Sequence, residues 1–379
     1  MTLKIVVLGG GRVGGVIVRD LVTEDDFSVL VVDVDPVRVE RLTDIGADGV
    51  IADLSTPTNV SKAVKDADLV VGAVPGFLGY RTAEEVLKAG RPMVDISFFP
   101  EDAFGLEELA KEAGVPFVFD CGVAPGLSNL VLGRLEASMD STRSFHCLVG
   151  GLPVERKWPW EYKALFSPGD VIEEYVRPAR LRRDGIERTL PALSEVELVD
   201  FPGLGSLEAF NTDGLRSLLR TCETPNMVEK TLRYPGHAVR MRILREAGFF
   251  STKEVRAASG TVVPRDVTEA LLFHAWHYEE GEPDLTVMRI VAEGTTGGKK
   301  VRHTYNLLDY YNTDTETSSL ARTTGYTCTA MVRVLASGLW SEPGLTPPEL
   351  VGRDEACFSA VLDHLAARKV HFFHRVDEL

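Results

Sequence analysis

Cysteine is scarce, and its placement matters more than its number. Cys121, Cys147, Cys222, Cys328 and Cys357 are odd in number, far apart and never in a C-x-x-C pair. Neither a disulfide framework nor a thiolate zinc site is supported, so reduced thiols and no metal are expected. Positive charge is also in deficit: 41 Lys and Arg face 56 Asp and Glu, a formal net charge of −15. That sign repels phosphate backbones and anionic lipid at long range, so neither nucleic acid nor a membrane surface is expected as a partner. No apolar stretch approaches the ~20 residues needed to span a bilayer, and the first strand begins without a basic region or apolar leader before it. A cytoplasmic location is expected. Internal repeats and low-complexity segments are absent too. What remains, 44% apolar and 26% charged over 379 residues, is an ordinary globular chain long enough for two cores.

What is there begins with the first strand and the turn that ends it. The apolar run Leu3-Lys4-Ile5-Val6-Val7-Leu8 passes into Gly9-Gly10-Gly11-Arg12-Val13-Gly14 and then into helix-like Val16-Ile17-Val18 and Leu21-Val22. Strand, G-x-G-x-x-G and helix in that order form the dinucleotide-binding fingerprint. Gly9 permits the tight turn, Gly11 lets backbone approach a pyrophosphate, and Gly14 lets helix and strand pack closely. Arg12 and Val13 open the helix whose N-terminus faces the phosphates. A second β-like run, Val29-Leu30-Val31-Val32, ends in Asp33, where a carboxylate accepts both ribose hydroxyls and repels a 2′-phosphate. NAD is therefore expected over NADP. Val34 stands where an NADP site usually places a base, and Arg38 is the nearest rival cation.

From Met1 to about Cys121 the chain repeats a βα rhythm, which makes a parallel, doubly wound sheet. Ligands of such sheets lie across the carboxyl ends of the strands. Those ends carry Asp53-Leu54, Val74-Pro75, Asp95-Ile96-Ser97 and Asp120-Cys121-Gly122; Asp53 and Ser97 read equally well as helix N-caps. After Gly122 the rhythm changes. Pro125 to Ala137 and Ala321 to Leu339 read as helices, and Pro343 to Pro348 as a linker-like break. Phe145–Gly150, Ile172–Leu181, Thr286–Ala292 and Val301–Leu308 show the polar-apolar alternation of a largely antiparallel sheet. The expected fold is α/β: a Rossmann domain over 1–123, then an α+β substrate-binding and dimerisation domain over 124–339. The segment 340–379, a terminal helix and strand, is a candidate to pack back on the first domain. A one-sided sheet buries its other face against something, so a homodimer or larger homo-oligomer is expected.

Three places could carry chemistry. Asp120 to Gly126 turns from the last strand into a helix, and Cys121 within it reads as a buried small residue sooner than a nucleophile. Lys163, between aromatics in Trp160-Glu161-Tyr162-Lys163, can be desolvated for acid/base work or left as a solvated cation. The run from Asn211-Thr212-Asp213 to Thr231-Leu232-Arg233-Tyr234-Pro235-Gly236-His237 supplies an arginine fork for a carboxylate, an acid for an ammonium and an imidazole for a proton. Singly, Arg233 reads as well as a surface ion pair and His237 as a helix cap. His274 and His277 have helical spacing but no metal-ligand partner and are expected to pack.

Together these stretches resemble the saccharopine dehydrogenase/reductase-like family, most closely its lysine 6-dehydrogenase branch, over nearly the whole chain. The resemblance rests on Gly9 to Gly14, on Phe119 to Asn129, on Tyr162 to Pro168 with Tyr175 to Arg180, and on Glu208 to Leu215. Arg233 to His237 and Ala321 to Tyr326 complete it. It implies NAD-dependent oxidative deamination of the ε-amino group of L-lysine, giving 2-aminoadipate 6-semialdehyde, which cyclises to Δ1-piperideine-6-carboxylate. Saccharopine reductases tend to carry Asp-Pro-Gly where this chain has Ala124-Pro125-Gly126, a departure that favours lysine. A saccharopine- or carboxynorspermidine-type NAD(P)-dependent imine reductase and a non-catalytic NAD-binding protein are the alternatives. On the lysine reading Arg233 takes the substrate carboxylate and Asp213 the α-ammonium, with Asn211, Thr231 and Tyr234 beside them. His237 or Lys163 accepts the proton that the ε-ammonium must lose, and Asp120 and Pro125 line the nicotinamide.

Overall fold

In the computed structural model, residues 2–164, 168–258, 260–279 and 281–379 are described. Leu165, Phe166 and Ser167 of the expected Tyr162–Pro168 motif lie outside the described residues.

The chain divides into two compact units, Met1–Ser138 with Ala321–His371, and Met139–Leu320 with Phe372–Leu379. In the first, β1 (Leu3–Leu8), β2 (Phe27–Asp33), β3 (Asp48–Ile51), β4 (Leu69–Gly72), β5 (Met93–Asp95) and β6 (Pro116–Val118) form a parallel sheet. Its order is β6-β5-β4-β1-β2-β3, with a further two-residue strand, Gly344–Leu345, beyond β6. Ile5 to Leu8 are fully buried because helices cover both faces of the central strand. β1 pairs with both β2 and β4, so the strand order reverses beside it, and Leu8 sits opposite Val32 on one side and Gly72 on the other. That reversal opens a crevice at the carboxyl edge, where the Gly9–Gly14 turn, Asp33 and Asp95 emerge.

The break expected at Pro343–Pro348 instead supplies a strand. Gly344–Leu345 pairs with β6, and a two-residue strand is too short to show any period. The helix Leu127–Ser138 and the helices from 321 to 367 also group with this unit. Two close crossings fix them: a Cβ at Gly133 would run into the Glu349 carbonyl, and one at Gly352 into that of Leu130. At the same crossing Asn129 donates to the fully buried Glu349 at 3.2 Å. Asp20, on the first helix Arg12–Leu21, accepts from Arg333 at 2.9 Å and from Arg368, and lies near His364. Burial would raise the Asp20 carboxyl, but the hydrogen bond from His364 and the Arg333 charge outweigh it and hold it far below the usual carboxylate range.

The second unit is a nine-stranded mixed sheet. Its main path runs Glu197–Phe201, Gly205–Asn211, Asn226–Arg233, Ser141–Pro153, Asp284–Thr296, Lys299–Tyr310 and Phe372–Glu378. Three of the four expected alternations fall in these strands. All neighbours on this path are antiparallel except Asn226–Arg233 and Ser141–Pro153, which pair parallel. The fourth alternation, Ile172–Leu181, is corrected: it splits into the helix Pro168–Val176 and the strand Ala179–Arg183. Val171, Ile172 and Tyr175 are all fully buried, a spacing of one helical face, and only Ala179 and Leu181 obey the period of two. His274 and His277 are both exposed, so they do not pack in the core as expected.

Candidate dinucleotide and substrate sites

The glycine turn is tight at Gly9 and Gly14 and open at Gly11. Gly9 has φ +104°, and a Cβ there would strike the Ala73 carbonyl carbon at 2.8 Å. A Cβ at Gly14 would run into the Gly9 carbonyl, so close contact between turn and helix requires glycine at both positions. At Gly11 the nearest atom to an added Cβ is 4.0 Å away, on Arg38, so its backbone is open to an approaching group. Gly11 is the N-cap of the first helix; no side chain caps it and the first turn carries no acid. The positive end of that helix dipole is uncancelled, which fits a pyrophosphate.

Asp33 is buried at the end of β2. Its Oδ2 accepts from the Gly10 amide at 2.7 Å and its Oδ1 from that of Asp35 at 2.9 Å. Arg38 stands 3.8 Å from Oδ1 and 3.3 Å from Asp35, half-exposed. The ribose end of the site therefore carries an acid and a cation together. Asp53 is exposed; hydrogen bonds from Ser55 lower its carboxyl, and Leu54 beside it is buried. Val74 is buried and Pro75 exposed at the end of β4. Asp95 is fully buried and takes both the amide (2.7 Å) and the hydroxyl (3.2 Å) of Ser97, so Ser97 holds an acid in place. Asp120 is buried with φ +53°, and the Ala124–Pro125 bond is cis. Burial, then Asp95 and Asp120, raise the Cys121 thiol far above its ordinary value, so it stays an inert thiol. All five cysteines are buried.

In the second unit the strand Asn226–Arg233 delivers Thr231 and Arg233, and Tyr234-Pro235-Gly236 then turns the chain into the helix His237–Glu246. Gly236 has φ +92°, and Glu208 accepts from the Gly236 amide at 3.0 Å and the Ala238 amide at 2.6 Å. That carboxylate at a helix N-terminus fixes where His237 stands. His237 is 1% exposed and its Nε2 lies 2.9 Å from the Tyr175 hydroxyl. Burial, then the Arg233 guanidinium, push the imidazole well below its ordinary value, against an opposing contribution from the Trp160 backbone. Burial raises the Tyr175 phenol well above its own. The imidazole is therefore neutral and the phenol protonated, and the two share a hydrogen bond whose donor is set by the ring tautomer.

Arg233, 3% exposed, donates to Glu174 at 2.6 Å and to the Leu232 carbonyl at 2.9 Å, and lies over the Tyr162 ring at 4.5 Å. The fold thus brings Arg233 and His237 together, in a box closed by Tyr162, Tyr175 and Trp276. The other candidates are bonded elsewhere. Asp213 is held by Arg180 through Nε at 2.9 Å and Nη2 at 3.0 Å. Asn211 donates to Ser194 and Glu195, both at 3.1 Å, and Thr231 shares a 2.9 Å bond with Thr212. Tyr234 donates to the Pro153 carbonyl at 2.8 Å. Lys163 is ion-paired to Glu282, with its ammonium 5.5 Å from the Tyr278 ring. Tyr175 and Glu174 escaped sequence reasoning as functional groups because their segment was taken for a strand. Glu208 entered only as the first residue of a family motif, with no role attached to it.

One unit with a doubly wound sheet and an uncapped glycine turn, and a second with a buried ionisable box, define the class: two-unit α/β proteins of the dinucleotide-binding type. Residues 5–118 match the saccharopine dehydrogenase NADP binding domain and residues 122–370 the saccharopine dehydrogenase C-terminal domain. The chain belongs to the saccharopine dehydrogenase family. It is 25% identical over 235 residues to the alpha-aminoadipic semialdehyde synthase of Arabidopsis thaliana, covering 57% of this chain and 21% of that protein. It is 22% identical over 262 residues to the L-glutamate-forming, NADP(+) saccharopine dehydrogenase of Saccharomyces cerevisiae, covering 65% of this chain and 58% of that one. The chain thus aligns with less than two thirds of the length of these relatives. The apo saccharopine dehydrogenase (L-Glu forming) structure from S. cerevisiae superposes over 99% of this chain and 100% of its own, with a TM-score of 0.79 at 18% identity, so the two share a fold. Among the described residues no helix is long and apolar enough to cross a membrane, and no group of His, Cys, Asp and Glu is arranged to hold a metal ion.

Proposed function

We propose that this protein is a nicotinamide-dinucleotide-dependent oxidoreductase acting on a lysine-related amino acid, and specifically that it oxidatively deaminates the ε-amino group of L-lysine with NAD. Supporting the coarser statement are the open glycine turn and membership of the family. The observation that carries the finer one is Ala124. It follows the buried Asp120 by four residues, at the cis bond to Pro125, where saccharopine reductases tend to place a further carboxylate for their larger substrate.

The dinucleotide, when bound, supplies an acceptor for hydride. The Gly9–Gly14 turn and the first helix N-terminus hold its pyrophosphate, and Asp33 meets its ribose. Hydride leaves a carbon only when the attached nitrogen is neutral, so the ε-ammonium must first lose a proton. Lys163, tied to Glu282, is a held cation. His237 is the one unprotonated base of the two, but burial and Arg233 disfavour its charged form and its Nε2 lies 2.9 Å from the Tyr175 hydroxyl, so a proton would reach it through Tyr175.

The test is a panel of L-lysine, saccharopine, carboxynorspermidine and ornithine with NAD and with NADP, read as reduced-cofactor absorbance. The lysine proposal expects turnover with lysine and NAD; turnover with saccharopine alone would overturn it. The saccharopine-type reading is favoured by the activity for which the yeast relative is named, and an NADP preference by Arg38, whose cation lies beside the ribose-end acid. Cells should hold the protein in the cytoplasm, which imaging of a tagged chain checks.

A further inference from the structure

Glu174 is not used by the chemistry above, and its place in the second unit is unusual. It sits on the helix Pro168–Val176 beside Tyr175, and one of its oxygens, Oε2, accepts from Arg233. Around this pair the box is closed: Arg233, Tyr162, Tyr175 and His237 are buried, whereas the Glu174 side chain keeps 23% of its surface. Its second oxygen, Oε1, takes no hydrogen bond from the described residues and is not sealed from solvent. Behind it, Arg233 Nε is buried with no hydrogen-bond partner, and the guanidinium is pinned by the Leu232 carbonyl and the Tyr162 ring.

An ion pair with a reachable negative end and an unspent N–H on its positive end is the electrostatic mirror of an amino-acid head group. The ammonium meets the Glu174 carboxylate directly, and the substrate carboxylate feels the buried guanidinium behind it at longer range. Asp213, the acid expected from sequence to meet an ammonium, has both oxygens engaged by Arg180. A substrate ammonium there would have to displace a two-point charge-assisted contact. Resting on the reading of this unit as the amino-acid site, we propose that Glu174 Oε1 binds the α-ammonium of the substrate, and that the Glu174–Arg233 pair selects the zwitterionic head of an α-amino acid over either charge alone. Burial raises the Glu174 carboxyl and Arg233 opposes that shift; a bound ammonium adds a second opposing charge, so the site tightens as Glu174 ionises.

The experiment is calorimetric titration of the full chain, with NADH present so that no hydride can be accepted, by L-lysine, by 6-aminohexanoate, which lacks the α-ammonium, and by 1,5-diaminopentane, which lacks the carboxylate. Wild type should bind lysine at least ~10-fold tighter than either analogue. Glu174→Gln should weaken lysine roughly 10- to 100-fold and change 6-aminohexanoate less than about two-fold, and Glu174→Asp should recover part of the loss. Equal weakening of lysine and 6-aminohexanoate would show a role in folding alone and overturn the proposal, as would unchanged lysine binding in Glu174→Gln or no binding of any of the three to wild type. Turnover is read in parallel. Lysine bound but never oxidised refutes the reaction and leaves the head-group site standing; lysine oxidised equally well by Glu174→Gln refutes the site and leaves the reaction.

Discussion

At the scale of single residues the second unit is governed by what burial does to charge. His237 was legible as a candidate because an imidazole followed an Arg-Tyr-Pro-Gly turn; its protonation state was not, because that is set by burial in the folded chain and then by the Arg233 guanidinium. The neutral form is the native one, so the native state binds fewer protons here than the unfolded chain, whose histidine titrates near 6.5. The stability this group contributes is complete above about pH 6.5 and is lost as pH falls below it, by up to about 1.4 kcal/mol per pH unit. We expect urea unfolding between pH 5 and 8 to show that slope in wild type and a shallower one in His237→Gln. An identical slope in the two would show that His237 already carries its proton in the fold. The bond between Tyr175 and His237 makes a spectroscopic prediction: the nitrogen shifts of His237 report a single neutral tautomer and stay flat from pH 6 to 9. Tyr175→Phe, which removes the hydroxyl, should mix the tautomers.

At the scale of elements, the strand-turn-helix at the N-terminus was legible nearly to the residue, because its glycines answer local demands. Their substitutions should separate. Gly14→Ala pushes a methyl into the Gly9 carbonyl and should cost on the order of 1–3 kcal/mol, seen as a lowered Tm. Gly11→Ala meets nothing nearer than 4.0 Å, so its Tm should hold while NADH affinity, read by fluorescence titration, falls. A Tm loss in Gly11→Ala equal to that in Gly14→Ala would refute this division of roles. The helix Pro168–Val176 was illegible for a local reason: five residues of Ile-Glu-Glu-Tyr-Val satisfy a two-residue and a helical period almost equally, and packing on Trp276 and Phe250 chose between them. Gly344–Leu345 was illegible for a non-local one, since its partner strand lies more than 220 residues earlier.

For the whole molecule, the chain passes between its two units three times, at Ser138/Met139, Leu320/Ala321 and His371/Phe372. The last passage sends Phe372–Glu378 to the end of the second sheet, where Phe373 is 68% and Val376 50% exposed. An outer strand presenting large apolar side chains calls for a cover, and we propose a homodimer. Light scattering at micromolar protein should give about twice the 41.5 kDa chain mass, and a particle of one chain mass would refute it. Sequence alone determined the class of the first unit, the dinucleotide turn, the reduced cysteines and three of the four long alternations, because each is written in neighbouring residues whose spacing matches a local period. Tertiary structure decided which late helices complete the first unit, which carboxylate is spent on Arg180 and which remains reachable on Arg233, and that His237 is neutral. Those outcomes depend on desolvation and on partners from distant strands and helices, quantities that no window of sequence contains.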